Sequence, residues 1–269
     1  DAVQCVWSAG AGFDSPVRDR LAEILGGEFR HSDSNDALVF LCNSGTESIE
    51  AALKLSSAVN GKRKEIIACR RAFHGRSCGA LGMTFNPKYR SPFANIIPSV
   101  KHFAAEEFPE KIGDDTLAVF IEPVQGEGGV YPIPEEVCRA ITEQCREKGA
   151  LLIADEVQCG LGRCGSFCAS YERGLEPGII CVAKGLAAGM PAGAVIWRKS
   201  LGDFPPHTHG STYGGNELTA RVSVAALTLL KEKDLCAHAK RLGAFIADEI
   251  SKRDLPLVSG THGAGLMIG

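Results

Sequence analysis

The sequence predicts an α/β domain built on a largely parallel sheet. Three observations carry that prediction: short, continuously apolar runs recur along the chain, helical patterns separate them, and the boundaries carry recognisable start and stop signals. Runs that are apolar at every position read as strands covered by helices on both faces, because a half-exposed sheet would alternate apolar with polar.

The elements follow in order. Ser15 before Pro16 is an N-cap and first-turn signal, and Val17, Leu21, Ile24 and Leu25 then form one apolar helix face before Gly26 and Gly27 stop it. Ala37 to Cys42 is a strand-type run, and Ser44-Gly45-Thr46-Glu47 follows at once with the S-x-x-E capping box of a helix that turns Ile49, Ala52 and Leu53 inward and ends near Asn60-Gly61. Further strand runs occupy Glu65 to Cys69, Leu117 to Ile121, Ala150 to Ala154, Ile179 to Ala183 and Ala192 to Trp197. Pro134 to Lys148 is helical, opened by Pro134-Glu135-Glu136 and stopped by Gly149. From Asn216 to Arg253 the pattern is helical again, with Leu218, Val222, Ala225, Ala226 and Leu229 on one face and a second helix from Asp234. There is no internal repeat, low-complexity tract or charge block.

Composition narrows the function classes. In 269 residues, 45% hydrophobic and 23% charged, 29 basic side chains stand against 32 acidic ones for a formal net charge of -3. This is the balance of a globular chain, large enough for one big domain or two small ones, and it excludes disorder, coiled coil and collagen. Near-neutral charge gives no electrostatic reason to expect nucleic acid or an anionic membrane as partner. Asp1 to Gly12 lacks the basic start and long apolar run of a secretory signal. The apolar window Gly178 to Trp197 is interrupted by Lys184, glycines and Pro191, which favours two short strands joined by a loop over a membrane span.

The 11 cysteines are odd in number and lack the spacing of a disulfide framework, so a reducing compartment is expected. Cys159, Cys164 and Cys168 contain no C-x-x-C pair and do not fit iron–sulfur spacing, so no metal is expected there. His207 and His209, in a Pro-rich loop, are expected to face solvent. The apolar run Gly265 to Ile268 at the chain's end reads as part of a strand, from which a longer protein is expected.

In such a sheet, ligands bind beyond the carboxyl ends of the strands, so the residues just after each apolar run are the ones to read. Strand, then Ser44-Gly45-Thr46, then helix outlines an anion site, with free backbone N–H groups at a helix N-terminus; the plainer alternative is a capped helix and nothing more. Asp155 and Glu156 end one strand run and Lys184 ends another. An ammonium embedded in apolar sequence is paired, deprotonated or covalently used; as a free amine it forms imines with aldehydes, and as a paired one it meets Asp155 in a neighbouring strand. Gly160 to Gly165 fits the G-x-G-x-x-G dinucleotide pattern, but Asp155, Glu156, Val157 and Gln158 intervene after its strand and the later strand ends in Lys184 rather than an acid. A phosphate cradle, a strand-end acid and a strand-end lysine together suggest pyridoxal phosphate.

The motifs as they stand resemble the class III (subgroup II) aminotransferases, the acetylornithine branch most closely and its fungal forms in particular. The matching segments are Phe40-Leu-Cys-Asn-Ser-Gly-Thr-Glu47, Phe73-His-Gly-Arg76, Pro87-Lys-Tyr-Arg-Ser-Pro-Phe93, Glu122-Pro-Val-Gln-Gly-Glu-Gly-Gly129, Asp155-Glu-Val-Gln158, Ala183-Lys-Gly185 and His209-Gly-Ser-Thr-Tyr-Gly-Gly-Asn216, in family order. The resemblance implies the large domain of the fold type I pyridoxal-phosphate transferases, a mostly parallel sheet of seven-stranded type with helices on both faces, over residues 37–250. It implies an N-terminal segment over 1–36 and the start of a C-terminal small domain at 251–269.

Site roles follow from the same resemblance. Lys184 is the lysine that carries the internal aldimine and moves the proton, and Asp155 pairs with the ring nitrogen. Gln158 reaches the ring hydroxyl, Phe73 and Val157 support the ring's two faces or, on the plainer alternative, belong to the core, and Ser44, Gly45 and Thr46 hold the phosphate. His74 belongs to the cofactor set as a hydrogen-bonder. Thr212 reaches the phosphate of a neighbouring subunit, which implies a homodimer. Arg76 holds the substrate carboxylate and Glu127 lies near the substrate side chain; Glu122 is expected in a structural ion pair, and Arg163 braces the Gly160 to Gly165 turn. The sequence departs from the family pattern at Arg163-Cys164-Gly165 and at Gly215-Asn216-Glu217, neither of which carries chemistry. The implied reaction is ping-pong transamination between an N-acetylornithine-type ω-amino donor and 2-oxoglutarate, a step of arginine biosynthesis, in the mitochondrial matrix or, failing that, the cytoplasm. Ornithine, 4-aminobutyrate or another ω-amine is the alternative donor, and a catalytically impaired cofactor-binding fragment the alternative protein.

Overall fold

The computed structural model describes residues 14–29, 37–253 and 255–269. The expectation of an N-terminal segment is therefore tested only through its helix, since residues 1–13 and 30–36 lie outside the described residues, as do the signal-peptide reading and Cys5. In chain order the elements are α1 (Pro16–Gly27), β1 (Ala37–Cys42), α2 (Gly45–Asn60), β2 (Glu65–Cys69), α3 (Cys78–Met83), α4 (Pro87–Arg90), β3 (Lys101–Phe103), α5 (Phe108–Lys111), β4 (Thr116–Ile121), β5 (Val124–Gln125), β6 (Tyr131–Pro132), α6 (Glu135–Lys148), β7 (Leu151–Asp155), α7 (Ala169–Glu172), β8 (Ile179–Val182), β9 (Gly193–Arg198), α8 (Glu217–Glu232), α9 (Leu235–Ser251), β10 (Gly263–Ala264) and β11 (Met267–Ile268).

Seven strands form one sheet in the order β1-β9-β8-β7-β4-β2-β3. The pairs from β8 through β7, β4 and β2 to β3 are parallel, and β9 runs antiparallel to both β8 and β1. Two antiparallel pairings in succession return β1 to the direction of β8. The carboxyl ends of β1, β2, β4, β7 and β8 therefore share one edge.

The apolar runs are continuous because both faces are covered. In β4, Ala118 and Phe120 join the core under Ile49, Ala52 and Leu55 of α2, while Val119 and Ile121 join the core under Cys138, Ile141 and Cys145 of α6. In β8, Ile179 and Cys181 face α2, and Ile180 and Val182 face the core that holds Leu21 and Leu25 of α1 and Ala220 and Leu227 of α8. Phe120 is fully buried, and removing a side chain of that size from water contributes roughly 2–3 kcal/mol. The predicted caps form: Ser15 accepts from Arg18 N–H, and Gly149 closes α6 in the left-handed conformation at φ 65. The window Gly178 to Trp197 folds as β8 and β9, and no described helix is long and apolar enough to cross a membrane.

Two expectations shift. The buried stripe of α8 is Thr219, Ala220, Ser223 and Leu227, one position beyond the predicted Leu218, Val222, Ala226 stripe, and Leu229 is 50% exposed. The reason is packing: α8 lies against α1 and the turn after β8, and that contact turns Thr219, Ala220, Ser223 and Leu227 inward, three of them small. The edge strand β3 carries Lys101 and His102, so no apolar run marks it in the sequence.

Candidate active site

The shared carboxyl edge opens onto a cavity of about 600 Å³ whose lining includes Asn43, Ser44, Gly45, Thr46, Phe73, His74, Arg76, Asp155, Val157, Gln158 and Lys184. Ten of the twelve residues singled out from the sequence thus meet here. Glu127 lines an adjoining cavity of about 320 Å³ that shares Phe73 as a wall. Thr212 is exposed on the loop after β9 and lines neither.

The N-terminus of α2 forms one side. Ser44 caps it, its hydroxyl accepting from Glu47 N–H at 3.2 Å and donating to Glu47 Oε1 at 3.1 Å. The return bond expected of a capping box goes one residue further back, from Asn43 N–H to Glu47 Oε2 at 3.1 Å. Gly45 is required here by contact: a Cβ on it would lie 2.6 Å from Val157 Cγ1. At the opposite wall Gly75, at φ 134, brings its chain against Thr46, whose hydroxyl hydrogen-bonds Ser77 at 2.6 Å. The Gly45 and Thr46 N–H groups, at the first helical positions, have no acceptor among the described residues. They are free donors at the positive end of a helix dipole, which suits a phosphate.

Asp155, the last residue of β7, is buried, and its carboxylate is fixed from two sides. Oδ1 accepts from Val157 N–H at 3.0 Å and Oδ2 pairs with His74 Nδ1 at 2.7 Å. Burial alone would lower the His74 pKa, but the hydrogen bond and charge of Asp155, with Glu122 behind them, raise it. Among the described residues Glu122 makes no ion pair: its oxygens accept from Phe73 N–H at 2.9 Å and Gly126 N–H at 3.2 Å. Backbone amides satisfy the carboxyl, and burial, against the opposing charge of His74, lifts its pKa to about 7.

Lys184 corrects the sequence reading in another way. The expected buried ammonium is exposed in the open mouth of the cavity, because the backbone turns sharply after β8 and places Lys184 at φ 42. A non-glycine residue held in the left-handed region is strained, and such strain concentrates at functional sites. The alternative of a structural Lys–Asp pair does not hold, since Asp155 is engaged by His74 and Lys184 makes no ion pair or hydrogen bond among the described residues. The cavity walls still desolvate the amine and lower its pKa, against the opposing pull of Asp155, Glu122 and Glu127.

Arg76 lies 5.9 Å from the Phe73 ring centroid and 5.1 Å from that of Tyr89, which meets Phe73 edge-on. The sequence assigns no role to Tyr89, in the Pro87 to Phe93 motif, or to Asn43, in the Phe40 to Glu47 motif; Met190, which also lines the cavity, carries no local signal. Gly126 lies against Gln158, and a Cβ there would be 2.3 Å from Oε1, so the glycine admits the amide to the cavity.

The Gly160 to Gly165 segment opens no helix and lies outside the cavity, which removes the dinucleotide reading. Its glycines serve packing: a Cβ on Gly160 would lie 2.7 Å from Glu156 O, one on Gly162 2.7 Å from Leu230 Cδ1, and one on Gly165 2.9 Å from Lys240 Cβ. Cys159 donates to Glu156 Oε2 at 3.2 Å and Cys164 faces Met267 Sδ at 3.8 Å; the described residues contain no His/Cys/Asp/Glu group disposed for a metal ion. His207 is exposed as expected, but His209 is stacked on Phe204.

A lysine facing a histidine-backed aspartate, with a free helix N-terminus across the cavity, is the arrangement of the pyridoxal-phosphate enzymes, and the groups present fit that cofactor: N–H donors for its phosphate, a carboxylate acceptor for its ring nitrogen and an amine for its aldehyde. Residues 9–269 match the family model described as aminotransferase class-III, and the chain belongs to this family of pyridoxal-phosphate-dependent enzymes. It is 43% identical to an acetylornithine aminotransferase of Methanopyrus kandleri over 235 residues, covering 86% of this chain and 60% of that one. It is 36% identical to a [LysW]-aminoadipate semialdehyde/glutamate semialdehyde transaminase of Sulfurisphaera tokodaii over 269 residues, covering 98% of this chain and 68% of that one. The structure resembles the ornithine aminotransferase of Toxoplasma gondii with TM-score 0.90 at 31% identity, over 99% of this chain and 65% of that one. The chain thus spans 60% and 68% of the length of these two curated relatives.

Proposed function

We propose that the protein transfers an amino group between an N-acetylornithine-type ω-amino donor and 2-oxoglutarate, with ornithine, 4-aminobutyrate or another ω-amine as the alternative donor. The observation that carries this reading is the joint placement of Lys184, the His74–Asp155 pair and the free N–H groups of Gly45 and Thr46 around one cavity. On this reading residues 37–250 are the cofactor domain, residues 1–36 an N-terminal segment, and residues 251–269 open a small domain. Ten described cysteines are free thiols, which suits a reducing compartment such as the mitochondrial matrix or the cytoplasm.

Bound pyridoxal phosphate supplies an aldehyde that condenses with amines and a pyridinium ring that accepts electrons. The residues of the chain do the rest. Gly45, Thr46 and Ser44 hold the phosphate at the head of α2, and Thr212 adds a donor from a second subunit of a homodimer. Asp155 holds a proton on the ring nitrogen, and the raised pKa of His74 keeps a donor on its Oδ2, fixing the carboxylate's direction. Gln158 reaches the ring hydroxyl, and Phe73 and Val157 confine the ring. Lys184, its basicity tuned down by desolvation, takes and returns the proton at the carbon that bears the reacting amine. Arg76 binds the donor's carboxylate by charge-assisted hydrogen bonds, and Glu127 lines the neighbouring space for the donor's side chain.

Borohydride reduction of the cofactor-loaded chain, followed by peptide mass analysis, tests the assignment. The expected result is a pyridoxyl-phosphate increment on the peptide bearing Lys184 that disappears in Lys184→Ala. A chain that takes up no cofactor would sink it. Ranking kcat/KM over N-acetylornithine, ornithine and 4-aminobutyrate then separates the donors.

A further inference from the structure

The loop from Asp203 to Gly215 has no regular structure and carries Pro205, Pro206 and three glycines, yet it is tied down at four points. The His209 ring lies between Phe40 of β1, with centroids 4.5 Å apart, and Phe204, stacked at 4.6 Å and 24°. Lys54 of α2 meets His209 Nδ1 at 2.9 Å and donates to Thr208 O at 3.1 Å. Ser211 Oγ accepts from Asn43 Nδ2 at 3.0 Å, and Gly214 lies so close to β1 that a Cβ on it would be 2.2 Å from Leu41 O. Between these anchors Thr212 and Tyr213 stand outward, Tyr213 at 65% exposure.

The chemistry of the Lys54–His209 contact is specific. An ammonium only donates, so Nδ1 is the acceptor and the ring proton sits on Nε2. Burial and the Lys54 charge both lower the His209 pKa, which keeps the ring neutral and the contact intact. Nε2 is buried without a partner among the described residues, so the ring is retained there despite an unsatisfied donor, a penalty that simple filling of the aromatic stack would not require.

We propose that Lys54 and His209 form a clamp that fixes the projection of Thr212 and thereby sets cofactor affinity in the site of a second copy of this chain. The clamp rests on the reading of Thr212 as a donor to the neighbouring subunit's phosphate. His209 and Lys54 are positioning residues: neither lines the cavity. Both act through the loop that α2 and β1 hold in place.

The test is cofactor affinity in homodimers and in hybrids. Pyridoxal phosphate is titrated by absorbance onto wild type, His209→Phe, which keeps the aromatic stack and removes the acceptor, and Lys54→Met; sedimentation velocity gives the oligomeric state and thermal melting the fold. A loss of at least tenfold in affinity is expected for both variants, with dimers retained. In a hybrid of one His209→Phe chain and one Lys184→Ala chain, the only lysine-bearing site receives its loop from the unclamped chain's partner, whose clamp is intact. Borohydride labelling of Lys184 in the hybrid is therefore expected at the wild-type cofactor concentration. Continued weak labelling in the hybrid, or wild-type affinity in both homodimeric variants, would overturn the clamp. A monomeric wild-type chain that still labels Lys184 overturns the clamp while leaving the cofactor reading, whereas a wild-type chain that labels nowhere removes both.

Discussion

Replacing Glu122 by glutamine isolates one buried charge behind the candidate site. A carboxyl whose pKa is higher in the folded than in the unfolded chain favours folding while protonated. Its contribution is complete below the unfolded value of 4.5 and is lost as pH rises through the folded value of about 7. Integrating over that window, the wild-type protein loses about 2 kcal/mol between roughly pH 5.5 and pH 8 through this group alone. For a chain of this size that is a fall in Tm of about 4–8 °C. Glutamine cannot titrate, and its amide meets one of the backbone N–H groups of Phe73 and Gly126, which costs about 1–3 kcal/mol. That penalty is the same at both pH values, so the difference between them is diagnostic. His74, whose raised pKa also loses stabilisation as pH rises, remains in both proteins. The assay is thermal melting of cofactor-free wild type and Glu122→Gln at both pH values. A variant whose Tm falls as steeply as that of wild type would refute the assignment of a buried, protonatable carboxyl.

Three further outcomes follow from contacts described above. Gly45→Ala places a methyl 2.6 Å from Val157 Cγ1, so cofactor affinity is expected to fall at least tenfold while stability falls by about 1–3 kcal/mol, read by titration and melting. His74→Ala leaves the buried Asp155 carboxylate without its partner and should destabilise the chain by about 3–5 kcal/mol, measured by urea unfolding; an effect below about 1 kcal/mol would show the pair to be dispensable. Arg76→Gln is expected to raise KM for a carboxylate-bearing donor at least tenfold and to leave the cofactor absorbance unchanged, a split that steady-state kinetics and spectroscopy read separately.

Much of the fold was legible in the sequence because strands buried on both faces leave unbroken apolar runs, and six of the seven sheet strands carry one. The seventh, β3, is an edge strand with Lys101 and His102 and leaves no such trace. The buried stripe of α8 lies one position beyond the periodic one because helical periodicity weighs large apolar residues, whereas the contact with α1 also buries the small and polar Thr219, Ala220 and Ser223 beside Leu227. In the site, Lys184, Asp155 and Ser44 to Thr46 were visible as polar residues at the ends of apolar runs. Met190 is not, since it reaches the cavity from a loop whose local pattern says nothing about its destination.

The class of the domain, the strand ends where chemistry sits, and the family can be read along the chain, because they depend on local periodicity and on motifs. The partners are set by the folded arrangement. It gave Asp155 to His74 instead of Lys184, held Glu122 by backbone N–H groups in place of a cation, and drew His209 out of solvent into a stack with Phe40 and Phe204. Which donor meets which acceptor depends on how strands far apart in sequence are ordered in the sheet, and distances of a few ångströms across that order are set by packing, which no run of residues encodes locally.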